Sequence, residues 1–342
     1  MNAGTFHNIT RQYPLLRVAV VGDFCLDRYL EIDPTKQETS IETGLPVHNV
    51  VSVRAQPGGA GTIVGNLAAL GVGTIYPVGF VGQDGEGSEL TRALGQLPGV
   101  ITDHLRCSED RRTFTYCKPL VIRPGQPPVE LSRLDTKNWS PTPAALEDCF
   151  MTSLMELSRI VRAIVILDQV DVPQTGVVTP RLLKTIEEII HRQPELLILA
   201  DSRRGLRGYP PVSFKMNGTE LGTLTGLRSD ASLPEIKKAV AALAREQKRE
   251  VFVTLSERGI LAASPSGKVA HVPAQPVRGL IDIVGAGDAV TANLTAAIAV
   301  GASLHDALEL AMAAATIVIH QLGTTGTASV LQMAELLELS AP

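Results

Sequence analysis

Short apolar runs rich in β-branched residues recur along the chain, and longer segments of helical periodicity lie between them. The runs predict buried strands, and they are RVAVVGD at 17–23, TIYPVGFVG at 74–82, AIVILD at 163–168, ELLILA at 195–200 and EVFVTL at 250–255. The periodic segments predict helices over 62–70, 86–97, 142–159, 178–192 and 233–246. Strand alternating with helix predicts an α/β fold, with a mostly parallel sheet covered by helices on both faces.

Acidic residues stand at the ends of three of the predicted strands. They are Asp23, Asp168 and Asp201. Ligands of parallel α/β sheets bind beyond the carboxyl ends of the strands. The pattern therefore indicates a polar site at this edge of the sheet.

Two regions break the alternation of strand and helix. Residues 28–56 and 101–134 contain short alternating segments, such as VHNVVSV and TFTYCKPLVI, which predict antiparallel strands with one exposed face. Placed near the ends of the parallel strands, they would form a small β lid over the site. We therefore expect residues 1–342 to form a single domain with these two lid segments inserted.

The composition excludes several classes of function. With 31 basic and 35 acidic side chains among 342 residues, the net charge of -4 argues against a nucleic-acid partner. Four cysteines and seven histidines show no metal-ligand spacing, and a reduced, cytoplasmic setting is expected. The apolar segments 289–302 and 307–319 are too short and too interrupted to span a bilayer, so they predict buried helices and no membrane partner.

The stretch DIVGAGDAV, at 282–290, places a carboxylate where a buried helix is predicted to begin. Glycines allow close approach of a ligand, and the unpaired N–H groups of a helix start bind anions. Asp288 would repel a bound phosphate, but it could take a proton from a hydroxyl while adjacent N–H groups hold a phosphoryl group. The alternative is that Asp288 is the N-cap of the helix.

Four motifs in order resemble the ribokinase-like, or PfkB, family of carbohydrate kinases. They are QPGGAGTIVGNLAALG at 56–71, NGTE at 217–220, VTLSERG at 253–259 and DIVGAGD at 282–288. The resemblance covers roughly 17–330 and implies a ribokinase-like three-layer α/β/α sandwich with a small antiparallel β lid. It also implies an ATP-dependent kinase that transfers the γ-phosphoryl group to a sugar hydroxyl.

Within the family, the closest likeness is to the D-glycero-β-D-manno-heptose-7-phosphate kinase domain. The matching pieces are VVGDFCLDRYL at 20–30, IETGLPV at 41–47, LSRLD at 131–135 and QLGTTGTAS at 321–329. That subfamily often carries a nucleotidyltransferase domain after the kinase, which we do not expect in this chain. The implied acceptor is a sugar or sugar phosphate.

The resemblance assigns the donor side of the site residue by residue. Asp288 would be the catalytic base, and the backbone of Gly285, Ala286 and Gly287 would form the anion hole. Asn217 and Glu220 would act on Mg²⁺ through water and on the nucleotide. The other residues assigned to the nucleotide are Thr254, Ser256, Gly259, Gly323 and Gly326. A monovalent cation, present in many relatives, is left open.

For Asn217 and Glu220 an alternative reading exists. Their spacing also fits a helix N-cap and its capping-box partner.

On the acceptor side, the resemblance implies that Asp23 and Asp27 hold sugar hydroxyls and that Gly58 and Gly59 let the backbone close on the sugar. Thr62 and Asp168 are further candidates. The alternatives are a turn for Asp23 and for the glycine pair, and a surface ion pair with Arg28 for Asp27. Asp201 and Arg203 could meet phosphate or be solvated in a loop.

The sequence also departs from the family pattern. Thr62 stands where Asn is usual, and the run LDQVDVPQTG after the central strand keeps Asp168 but lacks the Tyr and Lys of the heptose kinases. Ile283, shortly before Gly285, stands where a small residue or Thr is usual. Asn293 stands where Gly or Ala is usual, and Ser256 where Gly is common. The changes cluster on the acceptor side, so the kinase chemistry is expected to be retained and the sugar is left open.

Three alternatives accompany the kinase hypothesis. One is another PfkB kinase acting on a different sugar or nucleoside, and one is a non-catalytic relative that binds a sugar or nucleotide. The third is an oxidoreductase, because GAGTIVG at 59–65 resembles a dinucleotide-binding glycine pattern. We also expect a homodimer formed through the lid, since its strand edges could be covered by a second subunit.

Overall fold

The computed structural model describes residues 1–339, in which a large sheet is flanked by helices and joined by a smaller sheet. The strands are β1 (Arg17–Gly22), β2 (Phe24–Ile32), β3 (Glu38–Thr39), β4 (Pro46–Val47), β5 (Val50–Gly59), β6 (Thr74–Gly82), β7 (Leu105–Ser108), β8 (Phe114–Val121), β9 (Val129–Glu130), β10 (Leu134–Thr136), β11 (Ala163–Asp168), β12 (Leu197–Ser202), β13 (Ser213–Asn217), β14 (Val251–Thr254), β15 (Ile260–Ala263) and β16 (Val269–Val272). The helices are α1 (Ala3–Thr10), α2 (Ala60–Ala69), α3 (Gly85–Gly95), α4 (Ala144–Leu157), α5 (Pro180–Arg192), α6 (Gly218–Thr225), α7 (Leu233–Gln247), α8 (Ala286–Ala299), α9 (Leu304–Ile319) and α10 (Val330–Leu336).

The large sheet has the strand order β16-β15-β14-β13-β12-β11-β1-β6-β7. All neighbours from β14 through β7 are parallel, and β15 and β16 extend the sheet in antiparallel fashion. The predicted strands and the mostly parallel sheet are confirmed. The carboxyl ends of β1, β11, β12 and β13 consequently meet at one edge.

Helices cover both faces of this sheet because its central strands are apolar on both sides. In β1, Val18 and Val20 pack into one core with α2, α3, α8, α9 and α10. Ala19 and Val21 pack into a second core with α4, α5 and α7. The layers are therefore helix, sheet and helix, as the sequence predicted.

The smaller sheet differs from the predicted lid in its pairing. Its order is β10-β8-β2-β5, with β9 beside β8. The pairs β2–β5, β8–β10 and β8–β9 are antiparallel, but the central pair β2–β8 is parallel. The strand β7, which lies within the segment 101–134 predicted as lid, pairs with β6 in the large sheet instead. The small sheet is thus mixed, and it is held together by a pairing of residues far apart in sequence.

Several elements were absent from the sequence prediction, among them α1, β13, β15 and β16. None of the helices formed by residues 1–339 is long and apolar enough to cross a membrane.

Candidate active site

A cleft of about 350 Å³ lies between the small sheet, the carboxyl ends of β12 and β13, and the start of α8. Its acidic lining residues are Asp27, Asp201, Glu220 and Asp288. Its basic lining residues are Lys118, Arg133, Arg203 and Lys215. A cleft that combines both charges at a sheet edge suits a ligand with hydroxyl and anionic groups.

The start of α8 is built by a glycine turn. Gly285 is the N-cap of the helix and has a φ of 81°, in the left-handed region that favours glycine. Asp288 is therefore the third residue of the helix, and the alternative that Asp288 is the N-cap is wrong. No side chain within residues 1–339 caps α8, so the N–H of Gly287 points to the helix end without an intrahelical partner.

One of the three predicted anion-hole donors is already engaged. The N–H of Ala286 donates to the carbonyl of Ile283 over 3.2 Å. Gly285 and Gly287 both line the cleft, whereas Ala286 does not. The geometry thus leaves the two glycines as the backbone donors that face a ligand.

Asp288 is half-buried and faces the cleft, and its surroundings change its acidity. Burial raises the pKa of its carboxyl to about 7; Lys215 opposes this shift, and Asp201 and Asp27 add to it. A carboxyl with a pKa near neutrality can accept a proton from an alcohol and release it to water afterwards. The residue has the position and the acidity of a general base.

Asp201 and Lys215 form a buried ion pair beside Asp288. They lie on the adjacent parallel strands β12 and β13, and Lys215 Nζ is 2.6 Å from Asp201 Oδ2. Burial lowers the pKa of Lys215, but Asp201 outweighs burial and the net shift is upward. Sequence reasoning missed Lys215; the signal was a lysine inside the apolar run FKM directly before NGTE.

On the opposite wall, Asp27 lies on β2 of the small sheet. Its Oδ1 is 3.4 Å from Lys118 Nζ on β8. Arg28 instead pairs with Glu86 and Glu89, so the alternative of an Asp27–Arg28 surface pair is wrong. Burial raises the pKa of Asp27, and Lys118 opposes the shift. This carboxylate faces Asp288 across the cleft.

Asp23 is fully buried and does not line the cleft. Its Oδ2 accepts from the N–H groups of Gln169 and Val170, and its Oδ1 accepts from the N–H of Val177. Burial raises its pKa to about 6, with a further contribution from Asp168. The carboxylate anchors the loop after β11, so the predicted contact with sugar hydroxyls has no support in this geometry.

Asp168, the last residue of β11, is likewise turned away from the cleft. Its Oδ2 accepts from Ser202 Oγ, from Arg204 and from the Tyr209 hydroxyl, at 2.8, 2.9 and 3.1 Å. These partners fix the turn after β12. Asp168 thus lies outside the cleft lining, whereas the neighbouring Gln169 lines the cleft.

The glycine pair before α2 is a close-packed turn. Gly59 has a φ of 56°, and a Cβ there would lie 2.5 Å from the Asp23 carbonyl oxygen. A Cβ at Gly58 would lie 2.7 Å from Asp27 Oδ2. Gly59 and Thr62 line the cleft. Gly58 does not line it, but its lack of a side chain leaves room for the Asp27 carboxylate. At Gly59 the geometry fits both alternatives, because this residue forms the turn and also lines the cleft.

The oxidoreductase alternative does not fit this part of the fold. A dinucleotide-binding glycine pattern follows the first strand of a parallel βαβ unit. Here the glycines of 59–65 follow β5, which pairs antiparallel with β2 in the small sheet.

The donor-side residues fall in two adjoining clefts. Asn217 and Glu220 form the capping box of α6: Asn217 Oδ1 accepts from the Glu220 N–H at 2.9 Å, and Glu220 Oε2 accepts from the Asn217 N–H at 2.7 Å. Glu220 lines the cleft of Asp288, and burial raises its pKa. Asn217, Thr254 and Ser256 line a second cleft of about 670 Å³.

Three glycines predicted to border the nucleotide have structural roles and line neither of these clefts. Gly259 has a φ of 87°, and a side chain there would clash with the Val272 carbonyl. The N–H of Gly323 donates to Asp282, and a side chain at Gly326 would clash with Gln321. Thr325, which lies between them, lines the cleft and was missed.

The other polar lining residues that the sequence analysis missed belong to the small sheet or lie directly beside it. Lys118 and Tyr116 lie on β8, and Arg133 lies just before β10 with its guanidinium 5.1 Å from the Tyr116 ring centroid. Arg133 also pairs with Asp135 at 2.6 Å. A larger cavity, of about 910 Å³, lies at the opposite end of the large sheet, and no predicted site residue lines it.

Comparison with known proteins identifies a family domain within the chain. Residues 183–330 match the model of the pfkB family of carbohydrate kinases. The chain contains a pfkB family domain. Three of the four motifs named above lie inside the matched range, namely NGTE, VTLSERG and DIVGAGD, and the range includes α6, β14 and the start of α8.

Similar full-length proteins include bifunctional proteins HldE. The chain is 30% identical to that of Azorhizobium caulinodans over 311 residues, which is 91% of this chain and 62% of the relative. It is 32% identical to that of Gluconacetobacter diazotrophicus over 330 residues, which is 95% of this chain and 64% of the relative. The chain thus spans slightly over three fifths of these relatives.

Solved structures similar to this chain confirm the fold. A ribokinase of Arabidopsis thaliana complexed with ribose and ATP superposes with a TM-score of 0.69 at 20% identity, covering 95% of this chain and 99% of the ribokinase. The phosphofructokinase-2 of Escherichia coli gives a TM-score of 0.70 at 19% identity, and the superposition covers 95% of this chain and 100% of the phosphofructokinase. The three-layer, ribokinase-like sandwich is confirmed.

Proposed function

We propose that this protein is an ATP-dependent kinase that transfers the γ-phosphoryl group to a hydroxyl of a sugar or sugar phosphate. The observation that carries the proposal is the position of Asp288, in the first turn of α8 beside Gly285 and Gly287. Its carboxyl has a pKa raised to about 7 and faces Asp27 across the cleft. The pfkB family domain supports this function.

In the proposed reaction, the acceptor hydroxyl lies between Asp27 and Asp288. Asp288 accepts the hydroxyl proton as the new bond forms from the acceptor oxygen to the γ-phosphorus. The bond from the γ-phosphorus to ADP breaks, and its electron pair leaves on the ADP oxygen. The N–H groups of Gly285 and Gly287 donate to the oxygens of the transferring group, because charge on those oxygens is what phosphoryl transfer must stabilise.

The residues present fit a magnesium ion bound largely through water. Asn217 Oδ1 and Glu220 Oε2 are engaged in the capping box, which leaves Glu220 Oε1 to hold a hydrated ion in the cleft. Mg²⁺ keeps several waters and binds through one or two carboxylates plus substrate phosphates. When bound, it would neutralise phosphate charge on the nucleotide. The nucleotide itself would extend toward Asn217, Thr254 and Ser256.

For the acceptor, we propose a sugar phosphate, with heptose 7-phosphate phosphorylated at its 1-hydroxyl as the first candidate. Lys118 and Arg133 line the cleft near Asp27, and Arg203 lines it near Asp288; these side chains could bind a phosphate group that is not transferred. The HldE relatives support this choice. Thr62 remains a proposed sugar contact, because it is one of the residues that line the cleft.

An ATP-consumption screen tests the proposal. The panel contains heptose 7-phosphate, other sugar phosphates, free sugars and nucleosides, each with Mg²⁺ and with or without K⁺. We expect turnover with one class of sugar phosphate. Binding of a sugar or nucleotide without turnover of any acceptor would instead support the non-catalytic alternative.

We further propose a homodimer formed through the small sheet, in the cytoplasm. Strand β5 is at the edge of that sheet, and Val51 and Val53 on one of its faces are 52% and 51% exposed. An exposed apolar edge strand is a surface that proteins generally cover.

A further inference from the structure

Lys215 occupies an unusual place for a lysine. It lies in β13, is 6% exposed, and is flanked by Phe214 and Met216, which pack into the core. Its Nζ reaches the floor of the cleft, where a Cβ on Gly287 would lie only 3.1 Å away. The ammonium is therefore directly beneath the turn that begins α8.

Asp201 holds this ammonium in place but does not saturate it. An ammonium has three N–H donors. The hydrogen bond that Lys215 forms within residues 1–339 goes to Asp201 Oδ2, which Thr291 Oγ1 also approaches at 3.4 Å. Burying a charge is costly unless it is fully paired, so the remaining donors at the cleft floor favour an anionic ligand.

We propose that the Lys215 ammonium binds the transferring phosphoryl group, with Asp201 as the residue that positions it. This rests on the proposed kinase function. The ammonium and the N–H of Gly287 would contact the same group from adjacent directions, which places fixed positive charge where negative charge develops. Lys215 gives up no proton in this role; the acceptor proton goes to Asp288.

A different role for Lys215 gives a different kinetic signature. Its charge lowers the pKa of Asp288, so removing it would raise that pKa. If this were its whole contribution, Lys215→Met would shift the acidic limb of the rate profile to higher pH, and high pH would restore activity. A phosphoryl contact predicts a loss of kcat at every pH.

The test compares Lys215→Met with the wild type on the acceptor found by the screen. We expect kcat to fall on the order of 10²–10³-fold throughout about pH 6–9, with the Kd for ATP within about threefold of the wild type. Binding of ADP with aluminium fluoride, a mimic of the planar phosphoryl group, should weaken in parallel with kcat. Asp201→Asn keeps the ammonium and an acceptor, and it should show a smaller loss of the same kind.

Two controls separate this role from a structural one. Lys137→Met removes a lysine paired with Asp171 outside the cleft lining, and it should leave kcat unchanged. Thermal unfolding and ATP binding report whether each variant is folded; if Lys215→Met does not fold, Asp201→Asn carries the test.

The outcomes distinguish this inference from the proposed function. An active wild type and an inactive Asp288→Asn, together with a Lys215→Met variant within about threefold of wild-type kcat, would overturn the role of Lys215 alone. Activity of Lys215→Met restored at high pH would do the same. A wild type that neither transfers phosphoryl nor binds ADP with aluminium fluoride would overturn both.

Discussion

At the residue scale, the acidity of Asp288 decides when it can accept a proton. Its pKa is raised to about 7, chiefly by burial, and the proposed base acts only when ionised. Activity should therefore be present above this pKa and lost as pH falls through it. We predict that kcat/KM for the acceptor falls by about tenfold per pH unit below about pH 7, measured at saturating ATP. A profile that stays flat down to about pH 5.5 would contradict the assignment.

Asp23 should behave as a structural residue. Its two oxygens accept three backbone N–H groups, and an asparagine would present one amide N–H₂ to a donor. We predict that Asp23→Asn lowers the free energy of unfolding by about 1–3 kcal/mol, measured by denaturant titration. If the variant had normal stability and a raised KM for the acceptor only, the result would contradict this structural role and support a direct contact between Asp23 and the sugar.

The sequence could not show which strand-end aspartates line the cleft, because aspartate at a strand end can either face a ligand or accept hydrogen bonds within the protein. Asp23 and Asp168 turn to backbone and side-chain donors, whereas Asp201 faces the cleft. The place of Asp288 at the start of a buried helix could be predicted, because its glycine turn and helix are local. Lys215 and Lys118 could not, because their partners, Asp201 and Asp27, lie on other strands.

At the scale of the element, position 287 in the first turn of α8 should lack a side chain. Gly287 has ordinary helical geometry, so alanine there would not strain the backbone, but its Cβ would lie 3.1 Å from Lys215 Nζ. We predict that Gly287→Ala lowers kcat on the order of tenfold or more. The free energy of unfolding should stay within about 1 kcal/mol of the wild type, because alanine favours a helix.

Gly65→Ala is the matched control. Gly65 lies within α2, and a Cβ there would meet Thr327 at an ordinary 3.7 Å. It should leave kcat unchanged. Equal kinetic effects at Gly65 and Gly287 would show that the turn has no special role.

Five strands of the large sheet, β1, β6, β11, β12 and β14, could be predicted because each is a short, largely apolar run that is mostly buried. Strand β13 was not predicted because Lys215 interrupts its apolar run. Strands β15 and β16 were not predicted because ILAA and VAHV contain alanine or histidine in place of an unbroken β-branched run. The parallel pairing of β2 with β8 joins residues about ninety positions apart, and no local pattern encodes such a register.

At the scale of the whole molecule, the small sheet forms one wall of the cleft and also has the exposed edge strand β5. We predict that the protein is a homodimer and that replacing both Val51 and Val53 by serine shifts it to a monomer, measured by light scattering at working concentration. Serine keeps the strand exposed but removes its apolar side chains. A wild type that is already monomeric would refute the interface.

The central claim, that Asp288 deprotonates an acceptor alcohol beside a glycine turn that holds the phosphoryl group, is tested most directly by one comparison. ATP turnover by the wild type and by Asp288→Asn is measured on the acceptor that the screen identifies, with ATP binding measured in parallel. The variant should bind ATP normally, with kcat lower on the order of 10²–10⁴-fold. Near-normal turnover by the variant would contradict the account.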